Sequence, residues 1–110
     1  MSQSENAPPS LSSVNRALLR GQANGIEAIL HIGKEGITQN VRQQAWDALE
    51  ARELVKVKVQ KNAPLTTREA CGELCGLVHA LPVQCIGQVF VIYRESREHK
   101  HYSLMLKPDK

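Results

Sequence analysis

Between Glu53 and Gln60 the chain alternates without a break, with Val55, Val57 and Val59 on one side and Lys56, Lys58 and Gln60 on the other. A period of two sends successive side chains to opposite faces of a strand, so the valines lie against a core and the lysines face water. Such a strand needs partners, and its flanks supply them. Glu27 to Ile32 reads as a short buried strand, apolar apart from His31 and its opening Glu27, and Val83–Ile86 and Val89–Arg94 read as a hairpin about Gly87-Gln88.

The segments between these strands follow a helical period. Ser12 is placed to cap a first helix that turns Leu18, Leu19, Ala23 and Ile26 inward and ends at Asn24-Gly25. Thr38 caps a second, with Val41, Ala45, Ala48 and Leu49 as its apolar stripe. Thr66 and Glu69 have capping-box spacing for a third, with Ala70, Leu74, Leu77 and Val78 inward and Pro82 as its stop. The order is therefore α-β-α-β-α-β-β. Right-handed crossovers and a final hairpin make it an α/β two-layer sandwich with a mixed four-stranded sheet.

The domain spans residues 10–96, after a polar lead-in at 1–9 that reads as disordered and before a charged tail at 97–110 in which Ser103 to Leu106 add a little structure. With 110 residues there is room for one core. No apolar run approaches the roughly 20 residues of a membrane span and no signal-peptide pattern opens the chain, which points to the cytoplasm. An odd count of three cysteines without framework spacing agrees with a reducing compartment.

The net charge of +3 carries little information, but its distribution carries more. Residues 1–32 sum to zero, 33–61 to +2, 62–92 to −1 and 93–110 to +2, which concentrates cations around the second strand, the tail and the turn at Gly33-Lys34-Glu35-Gly36. Two glycines flanking a lysine, just before a helix start at Thr38, let a nucleic-acid backbone approach the peptide groups. Lys34 and the helix's N-terminal N–H groups then face the same phosphate. Glu35 in the same turn repels a phosphate unless it points away. A plain strand-to-helix turn is the alternative reading.

These blocks carry a family resemblance. Leu11-Ser12, Arg16, Leu19-Arg20 and Ala23 are followed by Ile32 to Thr38, then by Ala48 to Val59, and then by Val83-Gln84, Ile86-Gly87 and Tyr93-Arg94. The chain resembles the CRM domain family (chloroplast RNA splicing and ribosome maturation), in its small free-standing bacterial YhbY-type form, from about Leu11 to Arg94. The resemblance implies the fold already reached, similar to the C-terminal domain of translation initiation factor three. It also implies a non-enzymatic RNA-binding protein acting on precursors of the large ribosomal subunit. Val14, Asn24, Ala28 and His31 depart from the family pattern, where lysine, histidine, proline and glutamine are usual, and Val14 weakens the first helix as a contact surface.

The expected RNA site is Gly33, Lys34, Glu35, Gly36 and Thr38, widened by Arg16, Arg20, Lys56, Lys58 and Arg94. For Lys56 and Lys58 the alternative is a solvated strand face; for Arg16 and Arg20, one helical turn apart, it is pairing with glutamates. Arg94 reaches phosphate or closes the sheet edge. Trp46 lies on the flank of its helix's stripe, where it covers the core edge or stacks on a base. Cys71, Cys75 and His79 fall on successive helical turns that do not converge on one ion, so no metal and no cofactor is expected. No catalytic constellation or Walker-type loop is present, and the expected partner is RNA, met by a monomer without membrane or small-molecule ligand. A protein-interaction module docking its basic face on an acidic assembly partner, or a domain responding to metal or redox state through its cysteines, would be the other readings.

Overall fold

A computed structural model describes residues 11–107, so the lead-in expected at 1–9 lies outside the described residues. The elements are α1 (Ser13–Ala23), β1 (Ala28–Ile32), α2 (Gln39–Arg52), β2 (Leu54–Val59), α3 (Thr67–Val78), β3 (Leu81–Ile86) and β4 (Val89–Tyr93), followed by a 3-10 helix at Tyr102–Met105. The sheet order is β1-β2-β4-β3. β1 runs parallel to β2, while β4 is antiparallel to both β2 and β3. This is the expected α/β order with its mixed four-stranded sheet.

Each helix begins where its side chains satisfy the first turn. Ser12, Thr38 and Thr66 accept from the amides of Asn15, Val41 and Glu69 at 3.1 Å, and Glu69 returns the favour to the Thr66 amide at 2.9 Å. α2 and α3 cover one sheet face, burying Ala45, Leu49, Ala70, Leu74 and Val78 against Val55, Val57, Val59, Phe90 and Ile92. α1 takes the opposite face, where Leu19 and Ala23 meet Leu54, Val83, Val91 and Tyr93, with Tyr102 and Leu106 of the tail beside them. The two layers are thus joined by a partial third. It covers the half of the sheet where β2 begins and β4 ends, leaving Lys56 half-buried and Lys58 and His31 exposed toward the other half.

Three local expectations change. β1 is an edge strand, not a buried one, with Ile29 42% exposed and His31 also outward. Pro82 does not stop α3: the helix ends at His79, whose left-handed backbone (φ 59°) turns the chain out of it. Pro82 instead sits inside β3 at a register shift on the sheet edge, where its missing N–H interrupts no ladder. The segment after Arg94 is also more built than a charged tail, because it closes over a buried carboxylate.

That carboxylate is Glu53, 0% exposed at the end of α2 with φ 70°. It accepts from the Ser96, His101 and Ser103 amides at 2.7, 2.8 and 2.9 Å and from the Ser103 hydroxyl at 2.8 Å. Burial pushes its pKa up, but the amides of Ser103, Ser96 and His101 and the Ser103 hydroxyl outweigh it and hold the carboxyl below its ordinary value. A second clamp ties the far end of the tail: Asn15, buried in α1, donates to the Lys107 carbonyl at 2.9 Å and accepts from the Lys107 amide at 2.7 Å.

Candidate functional site

The glycine turn follows β1 directly. The Gly36 amide donates to the Gly33 carbonyl at 2.9 Å, closing a β-turn with exposed Lys34 and Glu35 as its two central residues. The glycines are thus the first and last residues of the turn, and Lys34 and Glu35 are its corners. The two also differ in why they are glycine. Gly36 has φ +73°, and a Cβ there would meet Pro64 Cγ at 3.4 Å, so the backbone itself requires it. Gly33 has an ordinary φ, and a Cβ on it would meet only Gln60 Cγ at 4.0 Å. Folding places no demand on Gly33.

Thr38 stands beyond the turn as the N-cap of α2, its hydroxyl oxygen engaged by the Val41 amide. It positions the helix start, whose first turn leaves further N–H groups without an intrahelical partner. The turn is held against the end of β2, where the Gln60 amide donates to the Ile32 carbonyl at 2.8 Å and the Val59 amide to the Gln88 carbonyl at 2.7 Å. A shallow polar hollow opens beside it, lined by Lys58, Gln60, Lys61, Asn62 and Gln88. Lys61 was not singled out from sequence. The signal for it lay in the +2 surplus of residues 33–61, to which it contributes.

Lys56 and Lys58 project from the sheet face opposite α2 and α3, with Lys58 exposed and level with His31 of β1. Gln60 Nε2 lies 3.5 Å from His31 Nδ1, so the strand face runs into the turn without an acidic group in its register. Arg16 and Arg20 are carried by α1. Arg16 makes a long contact to the Pro82 carbonyl, 3.5 Å, at the start of β3, the opposite end of the sheet from the turn. It lines a separate hollow with Arg68. The expected single patch is therefore two: a turn-and-strand surface, and an arginine edge.

Arg94 departs from the expected phosphate contact. Its guanidinium is engaged inside the protein, donating to the Val78 carbonyl at 2.7 Å and to Glu50 Oε2 at 2.6 Å, with its side chain 12% exposed. Its Cζ lies 4.1 Å from the Trp46 ring centroid. Trp46 is 39% exposed and also meets His79 edge-on at 6.2 Å. One face of the ring is occupied by Arg94, which favours the core-edge reading.

The cysteines are packing groups. Cys71 and Cys75 are buried against the core, and the hydrogen bond between them pushes the Cys75 thiol up, with burial adding to it, and the Cys71 thiol down. Among the described residues no cluster of His, Cys, Asp or Glu could hold a metal ion, and no helix is long and apolar enough to cross a membrane.

Comparison with known proteins bears on the family and the fold. The family model "CRS1 / YhbY (CRM) domain" matches residues 11–94. The chain is 35% identical over 94 residues to "Probable RNA-binding protein YqeI" of Bacillus subtilis, covering 86% of this chain and 98% of that one. It is 32% identical over 90 residues to an "RNA-binding protein" of Haemophilus influenzae, covering 82% and 91%. The solution structure of a hypothetical Staphylococcus aureus protein, described as a candidate for RNA binding, superposes with a TM-score of 0.70 at 41% identity, over 82% of this chain and 94% of that one. The chain belongs to the CRS1/YhbY (CRM) domain family.

Proposed function

We propose that this protein binds structured RNA without catalysis, as an assembly factor for the large ribosomal subunit in the cytoplasm. The observation that carries the reading is Gly33. It has an ordinary φ, and a Cβ there would meet only Gln60 Cγ at 4.0 Å, an ordinary van der Waals distance, yet it stands beside an exposed lysine just before a capped helix. A glycine that the fold does not need keeps the surface clear for something outside the protein. The names of the relatives and the family resemblance supply the partner class, with ribosomal RNA of the large subunit as the expected target.

In this reading Lys34 and the first-turn amides of α2 hold one phosphate, while Lys58, Lys61 and Lys56 continue the contact along the strand. Arg16 and Arg20 form a second edge that a folded RNA reaches across the sheet. Phosphate contacts of this kind position RNA without reading its sequence. About four to six neutralised phosphates give a log–log salt slope of roughly −3 to −5. The test is binding of protein-free ribosomal RNA at several salt concentrations, with Gly33→Asp as the variant. A steep slope and a marked loss in Gly33→Asp with the fold intact are expected. A flat slope, or no binding without an acidic protein partner, would transfer the surface to protein recognition.

A further inference from the structure

The segment that follows the family match ends up as one wall of a cleft. The match stops at residue 94, yet the residues beyond it are fastened by the Glu53 carboxylate, by the Ser96 hydroxyl donating to the Glu50 carbonyl at 2.6 Å, and by the Asn15–Lys107 clamp. This fastening sets His101 and Tyr102, edge-on to each other at 4.6 Å, on the rim of a cleft of about 470 Å³. Ile26, Ile29, Ala51 and Leu54 are its apolar lining, and Arg52 and Lys56 its cations. The volume falls within the range of about 300–1,000 Å³ common for small-ligand sites.

We infer that this cleft takes one unstacked nucleotide of the bound RNA, with its base against Tyr102 and the apolar lining and its phosphate on Arg52 and Lys56. The inference rests on the RNA-binding reading and adds a second point of attachment to it. Three features of the cleft fit a nucleotide. An aromatic ring beside aliphatic side chains accepts a planar base of any sequence. Cations on the rim neutralise the phosphate that any inserted nucleotide brings. Lys56 also belongs to both surfaces: it lines the cleft, and it precedes Lys58 on the same face of β2, which is level with His31 two residues before Gly33.

Strand geometry separates Lys56 from Lys58 by roughly 7 Å, so an extended strand lying on this face meets a cation at each step between the turn and the cleft. Glu27 is the acidic member of the lining. It repels phosphate from its own side, which directs the nucleotide's phosphate toward Arg52 and Lys56, and its carboxylate can accept from a base amino group.

The experiment uses the full chain and a fluorescently labelled single-stranded dodecamer of riboadenylate, with affinity read by anisotropy. Tyr102→Ala is expected to weaken binding roughly tenfold, the scale of one lost base stack. Arg52→Ala, at an exposed position, is expected to weaken it several-fold and to lower the magnitude of the salt slope by about 0.7. Thermal unfolding of each variant is recorded alongside, and Arg52→Ala decides the matter if Tyr102→Ala does not fold. If Arg52→Ala and Tyr102→Ala bind like the unaltered protein while Lys34→Ala is weakened, the cleft is not a nucleotide site and the RNA reading stands. If the unaltered protein binds neither this oligonucleotide nor ribosomal RNA, both fail together.

Discussion

Glu53 holds both the amide and the hydroxyl of Ser103, at 2.9 and 2.8 Å, across 50 residues of chain. One buried carboxylate thereby joins the end of α2 to the segment that follows the sheet, and the left-handed backbone of Glu53 places it under that segment. Charge-assisted hydrogen bonds of this kind contribute about 1.5–3 kcal/mol each when their loss strands a buried partner.

Glu53→Ala is expected to destabilise the fold by about 3 kcal/mol or more, and Glu53→Gln by less, since an amide still accepts at one oxygen. Urea unfolding measures both. A change below about 0.5 kcal/mol for the alanine variant would show that the tail is held by other contacts.

The same carboxylate sets an acid limit. Its folded pKa lies below the ordinary value of 4.5, so its contribution is fully present above that pH. The contribution is lost as the pH falls from there through the depressed folded value, because the unfolded chain takes up the proton first. Unfolding free energy measured between pH 7 and pH 3 is expected to decline in the acid range, with a weaker decline in Glu53→Gln.

Tyr93 sets the alkaline limit. Burial, with the nearby charges of Glu53 and Glu95, pushes its hydroxyl up to about 12 from 10. The neutral phenol is favoured in the fold, so its contribution is intact below pH 10 and is lost as the pH rises toward 12. Stability followed by circular dichroism is expected to drop over that window, and less in Tyr93→Phe.

The two glycines of the turn are expected to separate. Gly36→Ala should lower stability by about 1–2 kcal/mol, since alanine resists φ +73° and its Cβ meets Pro64. Gly33→Ala should leave stability within about 0.5 kcal/mol. Equal losses in urea unfolding would place both glycines in the structural class.

Arg94→Ala is expected to act on the fold and not on RNA. Loss of its contacts to the Val78 carbonyl, Glu50 and the Trp46 ring should remove about 2–3 kcal/mol of stability. The salt slope of RNA binding, measured under conditions where the variant stays folded, should match that of the unaltered protein.

What the sequence made legible was local. The alternation of Val55 to Val59 and the caps at Ser12, Thr38 and Thr66 gave strand and helix starts, because each depends on neighbours a few residues away. What stayed hidden depended on distant partners. Glu53 reads as surface charge until Ser96, His101 and Ser103 are brought to it, and Asn15 reads as an ordinary helix residue until Lys107 arrives from 92 residues away. Arg94 looked like a phosphate ligand because sequence cannot show that Glu50 and Val78 already occupy its guanidinium. On the candidate surface, the exposed Gly33–Gly36 turn and Lys58 are legible as a local pattern, whereas Lys61 beside them and the cleft formed with Tyr102 depend on the sheet end and the docked tail.

The most direct measurement is a titration of isotopically labelled protein with ribosomal RNA, following backbone amide resonances. The largest shifts are expected at Lys34 to Ile37 and in the first turn of α2, with a second group at Lys56 to Lys61. Strong shifts confined to the Arg16–Arg68 edge, with the turn amides unmoved, would contradict the account.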